Sequence, residues 1–178
     1  MTISNVNSTQ DDRYRTAAGE YGAALERLAR AYEADADRRR DLLQEIHLAL
    51  WRSFAGWSAA CSMRTWVYRV AHNAAASHVI RERRTRSREL VSVEELETAR
   101  DPIQAEAAAG EREALDRLFA LVQRLKPLDR QVILSYLEGL DAAAISEITG
   151  ISAGNVAVKI HRIKHVLAKQ FHEGAKHE

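Results

Sequence analysis

The sequence is short of the residues that make loops and crosslinks. Its 178 residues include 1 Cys, 2 Pro and 8 Gly. A single cysteine, Cys61, excludes an internal disulfide framework and a thiolate zinc cluster. Such usage fits a reducing compartment. So little Pro and Gly argues against a loop-rich all-β protein and against collagen-like or linker-rich chains. Long apolar runs are missing too. Residues 140–158, among the least charged stretches, still contain Asp141 and Glu147, so no membrane insertion is expected. Residues 1–10 are polar and lack the apolar core of a secretory signal. They are expected to fray, and the protein to be cytoplasmic. Net charge is nearly absent as well, at +1.

What is present is the balance of a folded chain, with 29% charged and 46% hydrophobic residues. The length allows one medium domain or two small ones. The neutral total hides blocks of opposite sign. Residues 1–45 hold 7 basic and 9 acidic side chains, and residues 46–88 hold 8 and 1. Residues 89–116 hold 2 and 9, and residues 117–178 hold 9 and 6. Two basic blocks therefore flank an acidic one, which fits either polyanion binding at two places or two solvated faces.

The periodicity is helical nearly throughout, and no strand pattern stands out. Leu25, Leu28 and Tyr32 mark a helix over residues 20–32. Leu42, Ile46, Leu50 and Phe54 recur every four residues over 38–54. Residues 55–62 read as a loop, and 63–84 as a helix with Trp66, Val70, Asn73 and Ser77 on one face and Val67, Ala71, Ala74 and His78 beside it. Residues 86–110 lack periodicity and carry Pro102, which reads as a linker. Helices resume at 111–125. Pro127 suits a first turn, Val132, Ile133, Tyr136 and Leu137 mark the helix it opens, and Gly139 suits its end.

The most informative stretch is 141–171. Asp141 can cap a short helix holding Ala144, Ile145 and Ile148. Thr149-Gly150-Ile151-Ser152 then leads into a helix with Val156, Ile160, Ile163 and Leu167 at helical spacing. A short turn containing Gly between two helices is the helix-turn-helix signature. Ile145, Ile151 and Val156 are expected to fill its small core. Ser152 can cap the second helix and leave amides near a phosphate. The start of that helix would enter a major groove, facing it with Ala153, Gly154, Asn155, Ala157, Val158, Lys159 and Arg162. An ordinary helical hairpin with a basic tail is the plainer alternative.

Two segments in this order carry a resemblance. "DLLQEIHLALWRSF" followed by "SMRTWVYRVAHNAAASHVIRERR", and then "LKPLDRQVILSYLEGLDAAAISEITGISAGNVAVKIHRIKHVLAKQF", resemble the RNA polymerase sigma factors of the sigma-70 family. The type is the small extracytoplasmic-function one, and the likeness covers about residues 15–172. It implies an all-α fold of two small helical domains, 15–88 and 111–172, joined by an acidic linker at 89–110. Partners implied are core RNA polymerase, promoter DNA and an anti-sigma factor. Asp41, Leu42, Gln44 and Glu45 match the clamp-binding sequence. Trp57 and Ser58 lie in the matching base-capture loop, residues 56–62. Arg64, Thr65, Trp66, Tyr68, Arg69 and Asn73 match the −10-reading region, with Arg81, Arg83, Arg84, Arg86 and Arg88 suited to phosphate. Ser152, Asn155, Ala157, Val158, Lys159 and Arg162 fall on the −35-reading helix. The −7 of residues 89–116 would occupy a basic channel of the polymerase and mask the basic domains in the free protein.

Taken alone, several residues also suit plainer roles. Asp41 and Glu45 fit a solvated helix face, Trp57 a core plug, and Trp66 core packing rather than stacking on DNA. A stand-alone helix-turn-helix regulator is the rival function, and a helical adaptor another. Neither needs Asp41-Leu42-Leu43-Gln44-Glu45 or Arg64-Thr65-Trp66. No enzyme is expected. There is no phosphate loop or nucleophile elbow, and His161 and His165 lack the metalloprotease Glu between them. Neither metal nor cofactor is expected.

Overall fold

The computed structural model describes residues 3–85 and 111–173, with residues 3–8, 83–85, 111, 113 and 172–173 described in their backbone only. Seven helices and no strand occur among the described residues: α1 (Ile3–Tyr32), α2 (Ala36–Ser53), α3 (Met63–Thr85), α4 (Glu111–Arg124), α5 (Pro127–Leu137), α6 (Ala142–Thr149) and α7 (Ala153–Glu173). The chain divides into two compact units, Met1–Thr85 and Arg86–Glu178. The expected acidic linker lies outside the described residues. None of the described helices is long and apolar enough to cross a membrane.

In the first unit α1, α2 and α3 pack on one another. Leu25, Leu28 and Tyr32 of α1 are buried, and so are Leu42, Ile46, Leu50 and Phe54, as the four-residue period requires. The buried stripe of α3 follows the second expected row more than the first. Val67, Tyr68, Ala71, His72, Ala75 and Val79 are buried, while Asn73 and Ser77 are exposed. Helix α1 is also far longer than its apolar pattern announces. It begins at Ile3, so residues 3–10 are helical rather than frayed.

Local chemistry sets the ends. The Asp35 carboxylate accepts the Asp37 and Arg38 amides, both at 3.1 Å, and so caps α2. The hydrogen bond from the Arg38 amide, above all, holds that carboxyl below its ordinary value. Three arginines in a row at 38–40 are thus compatible with a helix start, helped by the Arg40–Asp37 pair and by Arg38 reaching Glu82 at 3.5 Å. Ser62 Oγ accepts the Thr65 amide at 3.1 Å and opens α3.

The second unit holds α4 to α7. Pro127 stands in the first turn of α5. Gly139, at φ 77°, ends that helix. Its amide reaches Tyr136 O at 2.9 Å and the Leu140 amide reaches Ser135 O at 3.1 Å, the paired closure of a Schellman end. Val132, Ile133 and Leu134 are buried, but Tyr136 and Leu137 are 37% and 56% exposed. Those two therefore do not belong to the core stripe. Two charged residues, Asp129 and Arg130, are buried there instead. Arg130 is buried and donates from Nη2 to Gln123 O and Leu125 O, at 2.5 and 2.9 Å. It thereby satisfies carbonyls that α4 leaves open at its C-terminus.

Candidate nucleic-acid interface

Helices α6 and α7 form the expected turn. Asp141 Oδ1 accepts the Ala144 amide at 2.8 Å. Gly150 adopts φ 78° and its amide closes on Ser146 O at 2.9 Å, a left-handed end that glycine adopts without penalty. Ser152 Oγ accepts the Asn155 amide at 3.3 Å. Ile145 and Val156 are fully buried between the helices, whereas Ile151 is only half-buried.

This packing turns the start of α7 outward. Ser152, Ala153, Gly154, Asn155, Ala157 and Val158 are exposed, Val158 to 70%. Arg162 is half-buried. Lys159 departs from expectation. Its Nζ pairs at 2.5 Å with Asp129 Oδ1, and the Asp129 side chain is only 4% exposed. Lys159 therefore neutralises a buried carboxylate of α5 and does not project as a reader. An open groove of about 620 Å³ runs beside the same helix, walled by Tyr136, Leu140, Ala157 and Ile160, with His161, Lys164 and His165 along it.

In the first unit the loop after α2 is tightly held. Gly56 N reaches Ser53 O at 3.1 Å. Trp57 is half-buried, its ring centre 5.8 Å from that of Phe54 at an interplanar angle of 74°, and its face under the Arg13 guanidinium at 5.2 Å. Ser58 is exposed, and Ala59 has φ 60°, unusual for a residue with a β-carbon. Trp66 is half-buried and donates from Nε1 to Ser53 Oγ at 2.9 Å, tying α3 to the end of α2.

Thr65 and Tyr68 are buried, which corrects their expected place on a contact surface. Thr65 sits in the helix cap. Tyr68 is closed in by Tyr21 and His72, with ring centres 6.3 Å away in each case. Burial, and then the Glu20 carboxylate, push the Tyr21 phenol up to about 12. Burial pushes the His72 imidazole down to about 3, and the Tyr32 hydroxyl bonds its Nδ1 at 3.1 Å. Burial likewise lowers His47, which meets the Tyr14 hydroxyl at 3.1 Å. Arg64 and Asn73 are exposed on α3, and Arg69 is half-buried. The Arg83 and Arg84 side chains, and Arg86 and Arg88 altogether, lie outside what is described.

The face of α2 presents Asp41, Gln44 and Glu45, all exposed. Leu42 is fully buried, so it supports this face from beneath. Leu48 and Trp51, at 46% and 37% exposure, continue the face. Their spacing from Asp41 and Gln44 is helical, a signal the sequence carries in plain view. Glu45 Oε2 is engaged by Arg81 Nη2 at 2.5 Å and lies 4.0 Å from His78 Nδ1.

Comparison with known proteins matches these two units separately. The family model Sigma-70 region 2 fits residues 18–85, and Sigma-70, region 4, fits residues 115–165. The chain belongs to the sigma-70 family. ECF RNA polymerase sigma factor SigG of two Mycobacterium tuberculosis strains, CDC 1551 / Oshkosh and ATCC 25618 / H37Rv, is 30% identical over 114 residues. That alignment takes in 53% of this chain and 31% of the relative, so the chain spans about a third of the length of the curated relatives it matches. A solved structure of CnrH in complex with the cytosolic domain of CnrY shares the fold at TM-score 0.63 and 16% identity, covering 96% of this chain and 94% of that one.

In family terms, region 2 lies in the α1–α3 unit from residue 18 onward, and region 4 lies in the unit that ends in the helix-turn-helix. Two features of the α1–α3 unit escape the sequence pattern. One is the Glu45–Arg81 pair, which joins the α2 face to the end of α3. The other is the set of bonds from Gln10, Asp11 and Arg13 to the end of α2 and its loop. No apolar periodicity announces that part of α1.

Proposed function

We propose that this protein is a transcription initiation factor that binds core RNA polymerase and directs it to particular promoters. The observation that carries the reading is the exposed start of α7, with Ser152 and Asn155 outward on a capped, glycine-ended helix-turn-helix, in one chain with a region 2 match. Asn155 would read a base edge and Arg162 a base or phosphate in the −35 duplex, with Ala157 and Val158 in apolar contact. In region 2, Asp41, Gln44 and Glu45 would meet a basic clamp surface of the polymerase. Trp57 and Ser58 would hold a base turned out of the −10 element. Arg64, Arg69, Asn73, Arg81 and Arg84 would follow the strand, with Trp66 beneath them.

Magnitudes assign the work. Opening about a dozen base pairs costs roughly 15 kcal/mol, at about 1.4 kcal/mol per step. Stacking one captured base returns about 1–3 kcal/mol. The chain can start melting, and the polymerase must complete it. Weak promoter binding by the free protein follows. The CnrH fold, seen with CnrY bound, supports a protein partner that holds this factor at rest, an anti-sigma factor. The site of action is then the cytoplasm.

In vitro transcription with core polymerase on a promoter library tests the reading. Promoter-dependent initiation that requires both proteins is expected. No such initiation with any cognate core would sink it. A stand-alone regulator would instead bind duplex DNA tightly without polymerase.

A further inference from the structure

The first half of α1 has no part in the promoter reading, yet it grips the loop on which that reading depends. Gln10 Nε2 donates to Trp51 O at 2.7 Å, and Trp51 Nε1 donates to Asp11 Oδ1 at 2.7 Å. Arg13 goes further. Its Nη1 donates to Phe54 O at 3.2 Å and to Trp57 O at 3.1 Å. Its guanidinium also lies 5.2 Å from the centre of the Trp57 ring. One side chain thus closes the open carbonyl end of α2, fixes the backbone of the loop and covers one face of its indole.

The loop has reasons not to hold this shape by itself. Ala59 takes a left-handed φ of 60°. The Trp57 Nε1 is buried with no hydrogen-bond partner, an unmet donor of the kind folded proteins rarely tolerate. Two such departures in one short loop persist only where the surroundings over-determine the conformation. Phe54 supplies one edge contact, and Arg13 supplies the polar bonds.

We infer that Arg13 is a positioning residue for base capture. It sets the height and tilt of Trp57 and leaves one indole face and the neighbouring Ser58 for an unstacked base. The inference rests on the proposal that loop 56–62 captures a base. The flat guanidinium carries the role, because Nη1 holds both carbonyls while the plane of the group stays over the ring face. A lysine is a point charge on a flexible stem and cannot reproduce that.

The test uses the full chain with core polymerase and forked promoter DNA carrying 2-aminopurine at each −10 position in turn. Capture is read as the rise in 2-aminopurine emission. Polymerase affinity and −35 duplex affinity in the holoenzyme are read in parallel. Arg13→Lys keeps the stem packing and the charge, and Arg13→Ala removes both. Both variants are expected to lose about tenfold in forked-DNA affinity and most of the emission rise, with polymerase and −35 affinities unchanged. Full capture in Arg13→Lys overturns the inference, because charge alone would then suffice. Capture lost in Trp57→Ala and intact in Arg13→Ala also overturns it, leaving the loop's role standing. Capture intact in Trp57→Ala, Ser58→Ala and Arg13→Ala overturns both.

Discussion

Lys159 and Asn155 lie one turn apart on α7, the first paired with Asp129 and the second exposed. Lys159 holds the buried Asp129, so Lys159→Ala takes the ammonium away from a buried carboxylate. The expected cost is about 2 kcal/mol, less than for a fully buried pair because the Lys159 side chain is 25% exposed. A fall in melting temperature of the free protein checks it. Asn155→Ala should leave that temperature unchanged and cost about 1–3 kcal/mol of base discrimination in the holoenzyme. His72 gives a pH dependence. Its folded value is about 3 against an ordinary 6.5, so between these values the unfolded chain binds the extra proton. Stability is then fully present above about 6.5 and falls as pH drops, by up to about 1.4 kcal/mol per pH unit. Urea midpoints from pH 7.5 down to 4.5 measure the slope, and His72→Phe should flatten it.

At the scale of elements, the caps were legible and the crossings were not. Asp141, Gly150, Ser152, Pro127 and Gly139 act on backbone within a few residues, so type and spacing suffice to place them. The burial of Leu42, Ile46, Leu50 and Phe54 follows from their period. By contrast, Arg13 meets its partners 41 and 44 residues away, and Lys159 meets Asp129 30 residues away. Such pairs are decided by packing and leave no mark in a local pattern. Thr65 and Tyr68 looked available because a family motif names positions and not the side of the helix they face. Two glycines test the cap argument. Nothing lies within 4 Å of a β-carbon at either Gly150 or Gly154, but only Gly150 has a positive φ, 78°. Gly150→Ala should cost about 1 kcal/mol from backbone alone. Gly154→Ala, inside α7, should stabilise by about 0.5 kcal/mol. Urea midpoints at constant m separate the two.

Across the whole molecule, charge is divided by function. The +7 of residues 46–88 and the −7 of residues 89–116 cancel, so a neutral total is compatible with the DNA binding proposed above. If residues 89–116 mask the basic units, neutralising Glu94, Glu95 and Glu97 raises the free chain's affinity for DNA at low salt. Unchanged affinity there would remove the masking idea. The eight-residue helix α6 sets a further limit. A helix that short does not persist alone in water. It is held by Asp141, by Gly150 and by burial of Ile145 and Ile148. Its amides should therefore exchange hydrogen only when the whole second unit opens. A ligand that pries α6 away would erase the reading head instead of re-aiming it. Promoter reading by this unit would then work as a switch and not as a dial.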